Sequence, residues 1–140
     1  AMQAADVVKV ATREDLTGAL DHYYAQNIET VLVQEHIEGE VIKFYGVGPG
    51  EFFAAIRVSS GKTIAPQEKK LRTRLLTVAS RAAEAVGLEI YGGDAILTPD
   101  GQLVLIDVND WPSFSSCRRT AAEHIAGYII RMHESGFNGS

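Results

Sequence analysis

The sequence predicts an α+β fold in which a mostly antiparallel sheet packs with about three helices. Its 140 residues, 46% of them hydrophobic, are enough for one domain with a hydrophobic core and too few for two ordinary domains. No repeat or Pro/Ser-rich linker interrupts the chain, so we expect a single domain over residues 1–140. β-rich segments also follow one another around short turns that contain Gly and Pro, which favours antiparallel pairing.

The first part of the chain has the pattern of a strand, a helix and a second strand. Residues 6–10 are rich in valine and predict a short strand. Thr12 is suited to cap a helix whose third position is Asp15, and Asn27 ends that helix. Residues 30–33 begin a second β-rich segment. The apolar positions with helical spacing are Leu16, Ala19, Leu20, Tyr23 and Tyr24.

The middle of the chain predicts a β-hairpin followed by a long helix. Strands at 41–47 and 51–58 are separated by a turn rich in glycine. Pro66 opens the helix and Gly87 ends it, because proline suits the first helical turn and glycine suits the position after the last one. The turn residues are Gly46, Gly48, Pro49 and Gly50, and the apolar stripe of the helix is Leu71, Leu75, Val78, Ala79, Ala82 and Val86.

The last part of the chain predicts a second hairpin and a terminal helix. Strands at 88–97 and 103–109 flank the turn Thr-Pro-Asp-Gly at 98–101. Ser115 or Ser116 then caps a helix that extends to about Met132.

The composition excludes several classes of protein. Thirteen Lys and Arg residues against eighteen Asp and Glu residues give a net charge of −5, which disfavours a nucleic-acid partner. The single cysteine, Cys117, cannot form an internal disulfide and is typical of a reducing compartment. The sequence has neither the pattern of a secretory leader nor a run of about 18 apolar residues that would predict a membrane span. We therefore expect a cytoplasmic protein without a membrane partner.

Acidic and amide side chains come together in the second predicted hairpin. Asp107 and Asn109 are two positions apart and so lie on one face of their strand. If the connecting loop has an even number of residues, Asp94 lies directly across from Asp107, whereas a three-residue loop would put the two on opposite faces. Two carboxylates about 5 Å apart repel each other unless a cation lies between them.

The donor types in this hairpin favour a hard divalent cation. Carboxylate and amide oxygens suit Mg²⁺, which often completes its coordination with water and nucleotide phosphates. The predicted ligands are Asp94, Asp107 and Asn109. From the residues alone two other interpretations stay open, namely polar residues at a strand edge or a pair of acids that share a proton.

The same residues carry a resemblance to a known family. The Tyr-Gly-Gly-Asp at 91–94, the Asp-Val-Asn at 107–109 and the Trp-Pro-Ser at 111–113 resemble the carboxyl-terminal metal-binding hairpin of the ATP-grasp superfamily. The Asp-x-Asn form is similar to the inositol-phosphate kinase branch, whereas carboxylate-amine ligases more often have Glu-x-Asn. The resemblance covers residues 6–126, although each motif is short.

An upstream segment is similar to the adenine-binding hinge of the same superfamily. It is Val-Leu-Val-Gln-Glu-His-Ile-Glu-Gly at 31–39. The resemblance implies that Gln34 and Glu35 lie beside the amino edge of adenine. It also implies that the backbone of His36 and Ile37 contacts the ring and that Glu40 bonds the ribose hydroxyls. Taken alone, the segment is also typical of an ordinary strand end followed by a turn.

Two basic residues lie inside the apolar strands of the first hairpin. Lys43 and Arg57 occupy positions where similar kinases and ligases have cations that face phosphate or the acceptor substrate. By that resemblance they neutralise charge on the transferred phosphoryl group beside Mg²⁺. The alternative is that each reaches a solvated edge and pairs with a carboxylate of the protein.

The resemblance implies an ATP-grasp-like carboxyl-terminal lobe with ATP and Mg²⁺, or Mn²⁺, as cofactors and a small-molecule acceptor that the sequence does not identify. The phosphate-contacting lysine and glycine-rich loop of a first ATP-grasp lobe have no counterpart here. We therefore expect a partial ATP-binding region, inactive by itself, that is either a piece of a longer enzyme or a natural fragment that pairs with another chain or self-associates. The expected activity of the complete enzyme is ATP-dependent carboxylate–amine or carboxylate–thiol ligation. The alternatives are a small-molecule kinase and a catalytically silent interaction module.

Overall fold

The computed structural model describes residues 7–110 and 112–137, apart from the side chains of residues 66, 136 and 137. Asp6 and Trp111, which belong to segments discussed above, lie outside the described residues. The chain divides into two compact units, Ala1–Ile37 and Glu38–Ser140. The single domain over residues 1–140 stays a prediction.

The first unit contains helix α1, Arg13–Ala25, where the sequence predicted it. The backbone N–H of Asp15 donates to Thr12 Oγ1, and the backbone N–H of Thr12 donates to Asp15 Oδ2, each at 3.1 Å. This reciprocal pair satisfies donors that the start of a helix leaves without an intrahelical partner. Asn27 follows the helix with a φ of +62°, a left-handed conformation that asparagine tolerates better than most residues. The capping predictions are therefore confirmed.

The strands predicted at 6–10 and 30–33 are wrong for the part of the chain that the structure describes. Residues 7–10 and 30–33 are assigned no regular structure. They lie with α1 around a cavity of about 570 Å³ but form no β-ladder. β-propensity produces a strand only where a neighbouring segment supplies matching backbone hydrogen bonds, and these two segments have the propensity without that pairing.

The second unit is built on a four-stranded antiparallel sheet in the order β2-β1-β3-β4. Both predicted hairpins are confirmed, and β1 of the first hairpin pairs with β3 of the second. The strands are β1, Glu40–Val47; β2, Phe52–Arg57; β3, Ile90–Leu97; and β4, Leu103–Asn109.

One face of this sheet packs against helix α2, Lys69–Ala85, and forms the core. A short 3-10 turn, Pro66–Glu68, leads into α2, and Gly87 follows it with a φ of +71°. Phe44 and Ile42 of β1 are completely buried, and only 1% of the surface of Leu75 in α2 is exposed.

The predicted apolar stripe of α2 is confirmed in part, because Leu75 and Ala79 are buried against the sheet and Leu71 packs beside them. Val86, which was also predicted, is 62% exposed, and Ala83, which was not, is buried.

Helix α3, Arg118–Phe137, ends the described chain. Its predicted cap is displaced, because Cys117 and not Ser115 or Ser116 immediately precedes the helix. The backbone N–H of Cys117 donates to the carbonyl of Phe114 at 2.9 Å, so a turn intervenes between the serines and the helix. None of the helices in the described residues is long and apolar enough to cross a membrane.

Candidate functional site

The sheet face opposite α2 carries four polar side chains in neighbouring positions. The register pairs Lys43 with Asp94 and Asp94 with Asp107, so these three residues form a row across β1, β3 and β4. Asn109 is two positions beyond Asp107 and therefore lies on the same face. We call Lys43, Asp94, Asp107 and Asn109 the polar cluster.

The pairing of Asp94 with Asp107 arises in a way that the sequence did not predict. Thr98 donates its backbone N–H to the carbonyl of Gln102 at 3.0 Å, which closes a three-residue loop, and Gly101 has the φ of +83° that such loops require. That loop pairs Leu97 with Leu103 and would put Asp94 across from Ile106. A β-bulge between Asp94 and Ala95 leaves Ile106 as an extra residue and shifts the register by one. Both carboxylates then lie on one face.

Hydrogen bonds connect every member of the polar cluster. Lys43 Nζ lies 3.0 and 3.1 Å from the two carboxylate oxygens of Asp94. The backbone N–H of Asp94 donates to Asp107 Oδ1 at 2.8 Å, and Asn109 Nδ2 donates to Asp107 Oδ2 at 3.1 Å. The hydrogen bond to Asp94 is the main cause that raises the pKa of Lys43 above its ordinary value. Lys43 is therefore a cation in the cluster at neutral pH.

Two glycines let the backbones of the second hairpin come close together. A Cβ atom on Gly93 would lie 2.1 Å from the carbonyl oxygen of Asp107. A Cβ atom on Gly92 would lie 2.6 Å from Cβ of Pro112. This close approach was not predicted from the sequence, although glycine inside a strand often marks a place where another backbone comes near.

Arg57 lies on the other face of the sheet from Lys43. It is across from the buried Ile42, whereas Lys43 is across from Ile56. The guanidinium of Arg57 forms salt bridges with both Glu40 and Glu68, and Glu40 also accepts a hydrogen bond from Ser59 at 3.0 Å. The structure therefore joins two predicted site residues, Arg57 and Glu40, to each other and does not bring Arg57 to the polar cluster.

The predicted adenine-contacting residues belong to the first unit. Gln34, Glu35 and His36 line the cavity of about 570 Å³ together with apolar residues of α1 and of residues 7–10. Ile37 is half-buried and ends this unit. Sites for drug-sized ligands commonly have volumes of about 300–1,000 Å³ and largely apolar walls, so the cavity is of a suitable kind for a ring system.

The polar cluster contains the donor types of an oxygen-ligand cation site. No three His, Cys, Asp or Glu side chains form a metal-binding group within the described residues, so a set there would need another donor type. In the polar cluster the amide oxygen of Asn109 would supply it, beside the carboxylates of Asp94 and Asp107. Such a set suits a hard cation that keeps part of its water shell.

Comparison with known proteins shows which proteins this chain is similar to. The D-alanine–D-alanine ligase from Coxiella burnetii shares the fold, with a TM-score of 0.67 over 92% of this chain and 42% of that one. Its sequence identity is 16%, so this likeness concerns the fold alone. The relatives found by sequence are also ATP-grasp ligases, and both comparisons support the resemblance of this chain to the ATP-grasp superfamily.

Two of these relatives are the ribosomal protein bS6–L-glutamate ligases of Salmonella paratyphi B and Salmonella newport. Each is 30% identical to the chain over 151 aligned positions, which cover 94% of this chain. The alignment covers 47% of each relative, so the chain spans about half the length of the curated relatives it matches. No family model matches the chain.

Proposed function

We propose that this chain is the ATP- and Mg²⁺-binding portion of an ATP-grasp enzyme that joins a carboxylate to an amine or thiol. The observation that carries the proposal is the register that puts Asp94 across from Asp107, with Asn109 on the same face. The relatives are named as ligases of L-glutamate with a ribosomal protein. We propose the same class of bond formation for the complete enzyme, with an acceptor that stays open.

The residues of the polar cluster fit Mg²⁺ by their donor chemistry. Asp94 and Asp107 offer carboxylate oxygens from adjacent strands, and Asn109 offers an amide oxygen once its Nδ2 no longer faces Asp107. Mn²⁺ accepts the same oxygen donors. When bound, the cation supplies positive charge that neutralises the nucleotide phosphates during phosphoryl transfer.

The side chains of the chain itself would then position the nucleotide and balance its charge. We propose that Lys43 adds a positive charge on the same face, because its ammonium lies within the cluster and is half-exposed. We also propose that Gln34, Glu35 and the backbone of His36 and Ile37 hold the adenine. This assignment is supported by the cavity of the first unit, which Gln34, Glu35 and His36 line.

The proposals for Glu40 and Arg57 have less support from the geometry. Glu40 is proposed to bond the ribose hydroxyls, and its carboxylate already accepts bonds from Arg57 and Ser59. For Arg57 to contact phosphate it must leave two carboxylates, Glu40 and Glu68. A carboxylate partner within the protein was the alternative interpretation of both Lys43 and Arg57, and each has one in the structure, Asp94 for Lys43 and Glu40 with Glu68 for Arg57.

A second candidate function rests on one sequence feature. The Asp-x-Asn of Asp107 and Asn109 is similar to the inositol-phosphate kinase branch and differs from the Glu-x-Asn that is more frequent in ligases. On that basis the alternative is a small-molecule kinase of the ATP-grasp superfamily. A third possibility, a catalytically silent interaction module, predicts no cation-dependent nucleotide binding at all.

The proposed location is the cytoplasm, and the proposed ligands are ATP and a small-molecule acceptor. The single cysteine supports a reducing compartment, and the net charge of −5 disfavours nucleic acid. A first lobe of the ATP-grasp type, or a second copy of the chain, is proposed to complete the ATP-binding region.

The test is the replacement of Asp107 by alanine. ATP is titrated by calorimetry into the wild-type protein and into Asp107→Ala, each in Mg²⁺ and in EDTA. We expect Mg²⁺ to tighten ATP binding to the wild type and to make little difference to the variant. Loss of a group that only supports a metal ligand already costs about ten- to a hundredfold in affinity, and loss of the ligand itself should cost at least as much.

The matched control is Asp21→Ala, which removes the same charge from an exposed position in α1. It should bind ATP as the wild type does in both solutions. If the wild type binds ATP with the same affinity in Mg²⁺ and in EDTA, this result would contradict the proposed function and favour the silent module.

A further inference from the structure

The polar cluster contains a positive charge of its own, and this charge bears on how a metal ion enters. Lys43 Nζ is within 3.1 Å of both Asp94 oxygens, which is the position that a divalent cation would need. We propose that Lys43 is an exchangeable counterion of the cation site, which pairs with Asp94 in the cation-free protein and leaves Asp94 when a divalent cation binds. This inference rests on the proposed function, because it concerns the same site.

The hydrogen bonds of the cluster show why the two cations compete. Asp107 receives bonds from the Asp94 backbone N–H and from Asn109, both of which are neutral donors. Asp94, by contrast, receives both of its side-chain bonds from the ammonium of Lys43. A divalent cation bound to the same carboxylate would be a near neighbour of this ammonium, and two positive charges so placed repel each other strongly. A divalent cation therefore binds Asp94 only as Lys43 moves away.

The surroundings of Lys43 allow that movement. Its side chain is 48% exposed, and a four-carbon stem can rotate the ammonium to another position. Arg57 offers the opposite case on the other face of the sheet. It pairs with both Glu40 and Glu68 and is 22% exposed, so its departure would leave two carboxylates without their cation. Lys43 can therefore leave its one carboxylate partner at lower cost than Arg57 can leave its two.

This exchange makes cation binding depend on an accompanying anion. A cation that arrives alone must displace Lys43 into water, and part of its binding energy is lost in doing so. A cation that arrives with a phosphate group gives the released ammonium a new anionic partner on the same face. We therefore expect the protein to bind the bare cation weakly and the cation–nucleotide pair strongly, because Lys43 loses its partner in the first case and gains a phosphate in the second.

The experiment measures the binding of Mn²⁺ alone, in the absence of nucleotide, from the electron paramagnetic resonance signal of the free ion. Methionine keeps much of the lysine stem without its charge, so Lys43→Met removes the competitor. We expect Lys43→Met to bind Mn²⁺ about five- to tenfold more tightly than the wild type, since a unit charge beside the cation is removed. The rise in Tm on addition of Mn²⁺ should also be larger in Lys43→Met.

Two further variants separate this effect from simpler ones. Lys70→Met removes an exposed lysine of α2, and with it the same net charge, and should bind Mn²⁺ as the wild type does. Lys43→Arg keeps the charge and should also keep the weak binding. If Lys43→Met does not fold, Lys43→Gln is the replacement, with the same expected gain in affinity.

The outcomes distinguish this inference from the proposed function. Equal or weaker Mn²⁺ binding by Lys43→Met overturns the inference, because a lysine with a purely structural role would lower affinity on removal. Absence of Mn²⁺ binding by both proteins overturns it as well. Tighter Mn²⁺ binding by Lys43→Met supports it even if the wild type fails to bind ATP with Mg²⁺, and in that case only the proposed function falls.

Discussion

The two units of this chain differ in whether their apolar side chains are exposed or buried. Among residues 7–37 none is buried, and eight large hydrophobic side chains are exposed, including Leu32 at 81% and Tyr24 at 76%. Among the described residues of the second unit, the sheet and α2 bury a continuous core around Phe44 and Leu75. Both units contain a helix that the sequence predicted correctly.

The difference teaches that helix signals and burial are separate properties. α1 has a complete capping box and still buries no side chain. α2 has no side-chain cap at its start, yet it buries Leu75, Ala79 and Ala83 against the sheet. Since most helical stability in proteins comes from tertiary packing, we expect α2 to be the more stable of the two helices. Three predictions test this comparison.

The largest effect is expected from truncation of one apolar side chain in each unit. Phe44→Ala should lower the free energy of unfolding by about 3–5 kcal/mol, because it opens a cavity in the core. Leu20→Ala in α1 should lower it by less than about 1 kcal/mol, because Leu20 is already 38% exposed. Denaturant unfolding followed by circular dichroism measures both. Similar losses in the two variants would show that the first unit has a core of its own.

A second test places alanine at a glycine in each unit. Gly93→Ala should lower the free energy of unfolding by about 1–3 kcal/mol, because its Cβ would meet the Asp107 carbonyl oxygen. Gly18→Ala should raise it by about 0.5–1 kcal/mol, because Gly18 is in α1 with open space around it. Thermal unfolding compares the variants. A neutral result for Gly93→Ala would mean that β3 and β4 can separate without cost.

The smallest effect concerns the pH dependence of α1. Hydrogen bonds with Thr12, first from its side chain and then from its backbone, lower the pKa of Asp15 below its ordinary value of 3.8. The contribution of Asp15 is therefore present above the unfolded pKa and is lost as pH falls through the folded pKa. Amide hydrogen-exchange protection in α1, corrected for intrinsic rates, should fall below about pH 4, while that of α2 changes little.

The control for this pH effect is Thr12→Ala. It removes the acceptor of the Asp15 backbone N–H and should make α1 exchange about fivefold faster at neutral pH. It should also weaken the pH dependence. An equal pH dependence in α1 and α2 would contradict the assignment to Asp15.

The polar cluster shows how far a sequence argument reaches. The sequence predicted that Asp94 lies across from Asp107 if the loop has an even number of residues. For a three-residue loop it predicted that the two side chains lie on opposite faces of the hairpin. The loop has three residues, and the bulge at Ile106 restores the pairing. The predicted pairing is confirmed, whereas the condition on which it rested is wrong. A bulge depends on the local twist and hydrogen bonding of two strands together, which no spacing within one strand reveals.

Arg57 and the segments in the first unit show where the sequence argument stops. The strand propensity of residues 30–33 is real, yet no strand forms there among the described residues, because no neighbouring segment pairs with it. The carboxylate partners of Arg57 come from the start of β1 and from the 3-10 turn before α2. A basic residue in an apolar strand predicts that an anion lies nearby, and it does not identify the anion.

The sequence alone determined the existence of the three helices and two hairpins, the cap of α1, and which oxygen-bearing side chains β3 and β4 carry. These features depend on backbone and side-chain preferences that act over a few neighbouring residues. Tertiary structure alone decided that Lys43 pairs with Asp94, 51 positions away, that Arg57 faces the core side, and which apolar side chains are buried. The physical reason is that ion pairing, register and burial are settled between segments, where the free energy depends on which surfaces meet.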